Sequence, residues 1–440
     1  MNVRMMMCLV AVFAGAVLLM GEQWTQYTTE NGLAGNHVRS VLIDPEGVKW
    51  FGTDNGLSRF NGNSWTTYRH TDDTHSLADN RINDLAYENT SENFELWIAT
   101  DNGVSVMGIE TDAITFATPY RRDNRELLSN TVNTVAVDQA SMRYFGTNAG
   151  LSVLNGSEWV NLTSASGLSD TDITAIGIDN ETGWRYVGTR NGGVSRLRVQ
   201  VDGITTASPY DSDWSGLYSD VISAIYIDAS GHQWFGTHAG AAYHQSTETK
   251  RDWTNVFRED GLGCDTVQVV FEDSKGTIWF GTPTGVSVFE NGNWTRIFAT
   301  DGLISNYVLD MAEDLDGSMW FATDQGVSHM EGEFSALDAA FVGPQTYVLH
   351  QNYPNPFNPS TIIGFEISQP DWVSLNIYNI NGQWVTCLVD GYQTTGYHEV
   401  VWAGKNNENE RVDAGLYIVR MQNTGSAKEW TQSRKMLFIQ

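Results

Sequence analysis

Through the first three quarters of this chain, apolar and polar residues alternate in short runs closed by turn residues, and one such run is written seven times. It consists of an aromatic, a bulky apolar residue, a small residue and a threonine, then two free positions and a glycine. The copies are Trp50-Phe51-Gly52-Thr53, Trp97-Ile98-Ala99-Thr100, Tyr144-Phe145-Gly146-Thr147, Tyr186-Val187-Gly188-Thr189, Trp234-Phe235-Gly236-Thr237, Trp279-Phe280-Gly281-Thr282 and Trp320-Phe321-Ala322-Thr323. The closing glycine stands six places after the aromatic, at Gly56, Gly103, Gly150, Gly192, Gly240, Gly285 and Gly326. Alternation over so few residues specifies strands rather than helices. The aromatic recurs at intervals of 41 to 48 residues, the period of a propeller blade.

The sixth unit predicts four antiparallel strands. Val267 to Phe271 is the inner strand, Asp273 to Gly276 a turn, Thr277 to Thr282 the second strand, Gly285 to Phe289 the third, Asn291-Gly292 a turn and Trp294 to Phe298 the outer strand. Eight segments read as outer strands, beginning at Trp24, Trp65, Ile114, Trp159, Ile204, Trp253, Trp294 and Phe334, whereas seven blades need seven. Ring closure accounts for the surplus: Trp24 to Tyr27 completes the last blade and the Phe334 segment leads out. Within the phrase, aromatics supply faces that press on the next sheet, the small residue admits a close neighbour, and the glycine serves a turn at positive φ. Asp-x-x-Gly, at Asp44, Asp228, Asp273 and Asp314, is a β-turn signal, and these carboxylates lack the alternating oxygen donors of a calcium loop.

The pattern changes after Ala340. Five of the nine prolines lie at Pro344 or beyond, and the run Gln351 to Thr361 predicts a rigid, extended lead-in. Strands are expected at Ile362 to Ile367, Val373 to Asn379, Gln383 to Leu388, His398 to Trp402, Gly415 to Met421 and Arg434 to Ile439, a small β-sandwich. The fold class expected is therefore all-β: a seven-bladed β-propeller followed by a small immunoglobulin-like β-sandwich. The divisions are a leader at 1–21, the propeller at 22–338, a linker at 339–345 and the sandwich at 346–440.

Composition narrows the partners. A formal charge of −28 opposes a phosphate-binding surface, so no nucleic acid is expected. Cys8, Cys264 and Cys387 form neither a disulfide framework nor a zinc spacing, and no metal or cofactor is expected. After Arg4, Met5 to Met20 carry no charge, a stretch short of the roughly 20 residues a spanning helix needs. A secretory signal peptide cut near Gly21 is the expectation, with an uncleaved anchor as the alternative.

With its Gly-Leu lead-ins (Gly32-Leu33, Gly167-Leu168, Gly261-Leu262, Gly302-Leu303) and its Trp-Phe-Gly-Thr core, the repeat over roughly 22–338 resembles the two-component regulator propeller family. The resemblance implies an extracytoplasmic propeller of the kind found in hybrid sensor kinases, many of which sense glycans. No kinase or DNA-binding segment follows in these residues, so signalling by this polypeptide alone is not expected. The tail resembles the C-terminal sorting domain of the type IX secretion system, allied to the immunoglobulin-like domain of flagellar hook-capping proteins. That likeness rests on Asn352-Tyr353-Pro354-Asn355-Pro356-Phe357-Asn358-Pro359-Ser360-Thr361, Ile377-Tyr378-Asn379, Gly382-Gln383, Gly415-Leu416-Tyr417 and Lys435-Met436-Leu437. It implies export across both membranes and partnership with the secretion machinery, with membrane contact only during export or by surface anchoring. An ordinary adhesive or spacer sandwich is the bland alternative.

Hydrolase, phosphate-loop and dinucleotide motifs are absent from the sequence. Chemistry is then sought where the blades differ, in the two free positions of the phrase and in the loops leading into the inner strands, which open on one face of a propeller. Most of their Asn and Asp residues are ordinary turn formers. His37, Arg39, Arg81, Arg190, Asn191, His238 and Tyr307 are less easily explained that way and are the candidate ligand-binding set; His70 and His75 are possible additions. The expected role is a secreted or surface bacterial monomer binding an extracellular ligand, a glycan among the candidates. A propeller-type polysaccharide lyase or hydrolase and a purely structural or adhesive protein are the alternatives.

Overall fold

The structure, a computed structural model, describes residues 23–439 except 72–75, 90–93, 110–113, 118, 124–125, 201–202, 213–215, 245–252, 333–346, 368–370, 394–395, 409 and 424–429. Seven four-stranded antiparallel sheets form a ring, their inner strands touching in cyclic order around a central channel. Counted outwards, blade 1 is Val38–Ile43, Lys49–Thr53, Gly56–Phe60 and Trp65–Tyr68. Blade 6 is Val269–Glu272, Ile278–Thr282, Gly285–Glu290 and Asn293–Ile297, within two residues of the boundaries its alternation predicts. Blade 7 takes three strands from Val308–Glu313, Met319–Thr323 and Val327–Glu331, and its outer strand from Gln23–Tyr27. The ring thus closes as the surplus outer strand requires, with Trp24 opposite Met330 and Tyr27 opposite Val327. Phe334 and the linker at 339–345 lie outside the described residues.

Successive strand residues face opposite sides of a sheet, so adjacent aromatics serve different interfaces. Trp50 packs toward blade 2 with Ile82 and Leu96, while Phe51 packs toward blade 7 with Trp320. The same division holds for Trp279 and Phe280, and for Trp320 and Phe321. The propeller core is accordingly a ring of inter-blade clusters rather than one central mass. Gly52 is small because the next blade lies against it: a Cβ there would sit 2.6 Å from Ile82 Cγ2. Threonine closes the hairpin, with Thr53 Oγ1 donating to Gly56 O at 2.7 Å and accepting from Asn55 N at 3.0 Å.

Two readings of the repeat need correction. In unit four the threonine bond runs from Thr189 Oγ1 to Gly193 O, and Gly193 has the positive φ of 70°, so this hairpin is one residue longer and Gly192 is not the counterpart of Gly56. The turn aspartates also do more than cap. Asp44 Oδ1 accepts from Glu46 N and Val48 N, while Oδ2 accepts the Trp50 indole N–H at 2.9 Å. Asp228 and Asp273 hold Trp234 and Trp279 at 2.9 Å, and Asp314 holds Trp320 at 3.2 Å. A buried indole N–H needs such a partner, which fixes the spacing of acid and ring.

The C-terminal unit is a sandwich of two sheets. One comprises Val348–Leu349, Thr361–Ile367 and Gly396–Trp402; the other comprises Trp384–Gln393, Asp371–Asn379, Gly415–Asn423 and Thr431–Phe438. Ile363, Phe365, Leu375, Val419 and Met436 fill the space between them. The proline-rich lead-in is not an extended spacer. It folds back along the sandwich: Tyr353 bridges Ile362, Phe357 is buried against Trp402 and Phe438, and Asn355 Oδ1 accepts from Leu437 N at 2.8 Å. Burial of Phe357 and the bonds of Asn352 and Asn355 account for this course.

Candidate functional site

In an up-and-down four-stranded blade, the hairpin between the second and third strands and the loop into the inner strand emerge at the same end. That topology gathers the candidate residues on one loop face, in two groups and a third position. Around blades 1 and 2, Arg39 Nε donates to Asp54 Oδ1 at 2.7 Å, and Arg81 Nε lies 3.4 Å from Asp101 Oδ2 and 3.9 Å from Asp54 Oδ1. His37 Nδ1 is 3.7 Å from Asp54 Oδ2, too long for a hydrogen bond, and is a buried nitrogen without a partner. Burial, then the nearby Arg39, lowers the His37 pKa, with Asp54 and Asp324 opposing, so the imidazole is neutral at pH 7.

The second group is built on blades 4 and 5. Arg190 Nε donates to Asp172 Oδ2 at 2.6 Å, and Asn191 N donates to Asp170 Oδ2 at 3.1 Å. His238 belongs here: burial and then Arg190 depress its pKa. Asn133 links toward this group from blade 3, donating to Asp172 Oδ1 at 3.1 Å. The structure therefore separates His37 from His238. Tyr307, on the lead-in to the last inner strand, is buried under Tyr353 with ring centroids 3.6 Å apart, so its face is covered by the sandwich. His70 is committed to Leu77 O at 2.6 Å, and His75 lies outside the described residues.

What the two groups can do follows from how the arginines are held. Each guanidinium engages a carboxylate of its own face through Nε alone, leaving its Nη groups without a hydrogen bond among the described residues. Arg81 and Arg190 are about half exposed, at 48% and 55%. A guanidinium oriented by a carboxylate is a prepared donor for oxygen-rich ligands.

The channel holds a feature that the sequence reading did not single out. Asp84 Oδ2 accepts from Thr134 Oγ1 at 2.8 Å and Val135 N at 2.9 Å, and Asp310 Oδ2 accepts from Val41 N at 2.8 Å. Each carboxyl thus bonds the inner strand of the next blade, at the bulge where the ladder register shifts. Burial pushes both carboxyls up, Asp310 to about 7, where the charge of Asp84 adds to the rise. Because the folded carboxyl keeps its proton where the unfolded one has lost it, this site favours folding at pH 4 and loses that contribution as pH climbs through 7. Asp310→Asn is therefore expected to match the native protein in stability at pH 4.5 and to exceed it by ~1–3 kcal/mol at pH 8. An unchanged pH profile in paired melts would refute it.

A cleft of about 410 Å³ runs between blades 4 and 5 on the opposite face, bordered by Asp179, Glu181, Asp228 and Ser230. Its two aspartates are spent on their own turns, with Asp179 Oδ1 accepting from Glu181 N and Thr182 N and Asp228 Oδ1 from Ser230 N and His232 N, and it is a turn surface rather than a site. Among the described residues no group of three or more His, Cys, Asp or Glu is placed to hold a metal. No described helix is long and apolar enough to cross a membrane.

Comparison with known proteins places these features beside two families. Residues 357–427 match the FlgD Ig-like domain and residues 261–284 match the two component regulator propeller. No curated protein matches the chain. Among solved structures it is similar to the extracellular domain of the hybrid two component system BT3049 from B. thetaiotaomicron, at 19% identity and a TM-score of 0.62 over 95% of this chain and 57% of that one. It is similar to PorZ, an essential bacterial surface component of the type-IX secretion system of Porphyromonas gingivalis, at 15% identity and a TM-score of 0.54 over 93% and 60%. A streptogramin B lyase aligns at 12% identity and a TM-score of 0.52 over 71% of this chain and 98% of its own. The chain spans under two thirds of the first two proteins' length, and at these identities the likeness is one of fold.

Proposed function

We propose that this chain is an extracellular recognition protein whose propeller binds a ligand, a glycan among the candidates, across its loop face, and whose sandwich directs its export. The observation that carries the binding reading is the set of carboxylate-anchored guanidiniums, Arg39, Arg81 and Arg190, contributed by three blades to one face with their Nη groups unbonded among the described residues. Extracellular placement is supported by the uncharged stretch Met5 to Met20 and by the extracellular and surface proteins that share the fold. Arg81→Ala with Arg190→Ala should weaken the best hit of a glycan array at least tenfold, since a bond to a charged donor contributes about 1.5–3 kcal/mol. Unaltered affinity would sink the assignment of this face. Released products in the same assay would favour a lyase, and neither binding nor products an adhesive role.

The export reading rests on the proline-rich lead-in and the FlgD Ig-like match. Removing residues 345–440 is expected to hold the protein inside the cell; secretion in normal amounts would contradict a sorting role.

A further inference from the structure

The sandwich does not hang free of the propeller; its three-stranded sheet is seated on the loop face at blades 6 and 7. Alternation along the edge strand Gly396–Trp402 explains how. Trp402 is buried in the sandwich core and Val400 packs against it, while Tyr397 and Glu399 point away, to the side where an isolated sandwich would meet water. Here that side meets blade 6. The Tyr397 ring stacks on Phe298, 4.8 Å between centroids and 19° between planes. Its hydroxyl donates to Glu399 Oε1 at 3.1 Å, and Glu399 Oε2 lies 3.4 Å from Arg258 Nη1, the Glu399 side chain being only 6% exposed. Thr284 bonds the same carboxyl, and Arg296 faces it from the next strand. The sheet is shaped for this: a side chain at Gly364 would collide with the Tyr397 hydroxyl. Beside this contact Tyr353 covers Tyr307, and His350 joins the two units, its Nδ1 3.3 Å from Asn306 Nδ2 and its Nε2 2.6 Å from Glu366 Oε1.

Two side chains offered by one strand, the stacked Tyr397 ring and the buried Glu399 carboxyl, fill a receptor made of Phe298, Arg258, Arg296 and Thr284. We infer that this part of the loop face is a binding site for an extended peptide segment carrying an aromatic and an acidic residue two positions apart, and that the sandwich occupies it in cis as an inhibitory latch. The inference deepens the reading of the loop face as a ligand surface and rests on it. A partner segment with that pair competes with Tyr397 and Glu399, lifting the sandwich and exposing Tyr307.

Cys264 reports the state of the latch. It is 2% exposed and sits beside Glu399, whose charge adds to the burial that pushes the thiol pKa up to about 12. The full chain with Cys387→Ser, to silence the other described thiol, is compared with the same chain carrying Tyr397→Ala and Glu399→Ala, and with one carrying Arg258→Ala. Maleimide labelling of Cys264 reads opening, and fluorescence polarisation reads binding of a labelled peptide copying residues 396–402, against a control with its Tyr and Glu replaced by Ala. Expected are labelling at least tenfold faster in both variants, and peptide binding at least tenfold tighter in the Tyr397/Glu399 variant than in the unaltered latch. Arg258→Ala should open the latch yet bind peptide no better than the control. Native-rate labelling in the Tyr397/Glu399 variant, or fast labelling without selective peptide binding, overturns the inference. Arg81 and Arg190 are intact in every form, so a chain that binds its glycan in all three but shows no selective peptide binding fails this inference alone, whereas selective peptide binding without any glycan binding fails only the glycan reading.

Discussion

Deleting Gln23–Tyr27 is expected to unfold the seventh blade and to destabilise the whole propeller by roughly 5 kcal/mol or more, the sum of lost ladder bonds and two aromatic side chains. Trp24 packs on Phe321 at 5.6 Å with the rings tilted by 33°, and Tyr27 lies over Trp320 at 5.6 Å and 17°. Those partners belong to the clusters on the two sides of blade 7, so one short strand holds both of its interfaces. The strand also covers the edge of Val327–Glu331, which would otherwise present unpaired backbone groups. Trp24→Ala alone should cost roughly 2–4 kcal/mol. Chemical denaturation measures both, and hydrogen exchange should localise the opening to 308–331. Native stability in the deletion would mean that the ring is closed by something other than this strand.

Arg185→Ala is expected to cost about 3–5 kcal/mol, because it strands a charge inside the interface between blades 3 and 4. Arg185 Nη2 donates to Asp138 Oδ2 at 2.7 Å, Nε to the Tyr144 hydroxyl at 3.0 Å and Nη1 to Asp179 O at 3.0 Å; the side chains of Arg185 and Asp138 are 7% and 1% exposed. Burial pushes the Asp138 carboxyl up, but the bonds from Arg185, Met142 N–H and Tyr144 more than offset it and hold it below the usual range. A carboxyl depressed in this way stabilises the fold above its unfolded pKa near 4 and loses that contribution as pH falls through the folded value. The gap between native and Arg185→Ala melts should therefore be widest at neutral pH and narrow below pH 4. Asp138→Asn with Arg185→Met, which leaves neither charge behind, should recover much of the loss. A double variant as unstable as the single one would show that packing, not charge, sets the cost.

The blades were legible because their causes are local. A ring, a small residue, a threonine that bonds the carbonyl three places on, and a glycine at positive φ are decided within one hairpin, and seven copies average out the exceptions. The longer hairpin at Gly193 was missed because the glycines at 192 and 193 are adjacent in sequence, and only the threonine bond shows which one closes the turn. The acid six residues before the ring, as in Asp44 and Trp50, was a visible spacing read only as a turn; the indole bond was its other half.

The candidate site was legible as a face but not as a constellation. Repeat register placed His37, Arg39, Arg81, Arg190, Asn191 and His238 at one end of the ring, yet their division into two groups depends on which aspartate each arginine reaches across neighbouring loops. Asp84 and Asp310 resemble any polar residue on an alternating strand, and only the packing of neighbouring blades sets them, partly buried, against the next inner strand. Sequence by itself determined the all-β class, the seven blades and the separate sandwich, because strand alternation and turn chemistry act over a few residues; it offered Trp24 to Tyr27 as the closing strand, and the pairing with Val327–Glu331 decided it. Tertiary structure alone decided the partly buried channel carboxyls, the Arg185 network and the seating of Tyr397 and Glu399 on blade 6. Each of these depends on low dielectric and steric fit between segments tens to hundreds of residues apart, which no local pattern encodes.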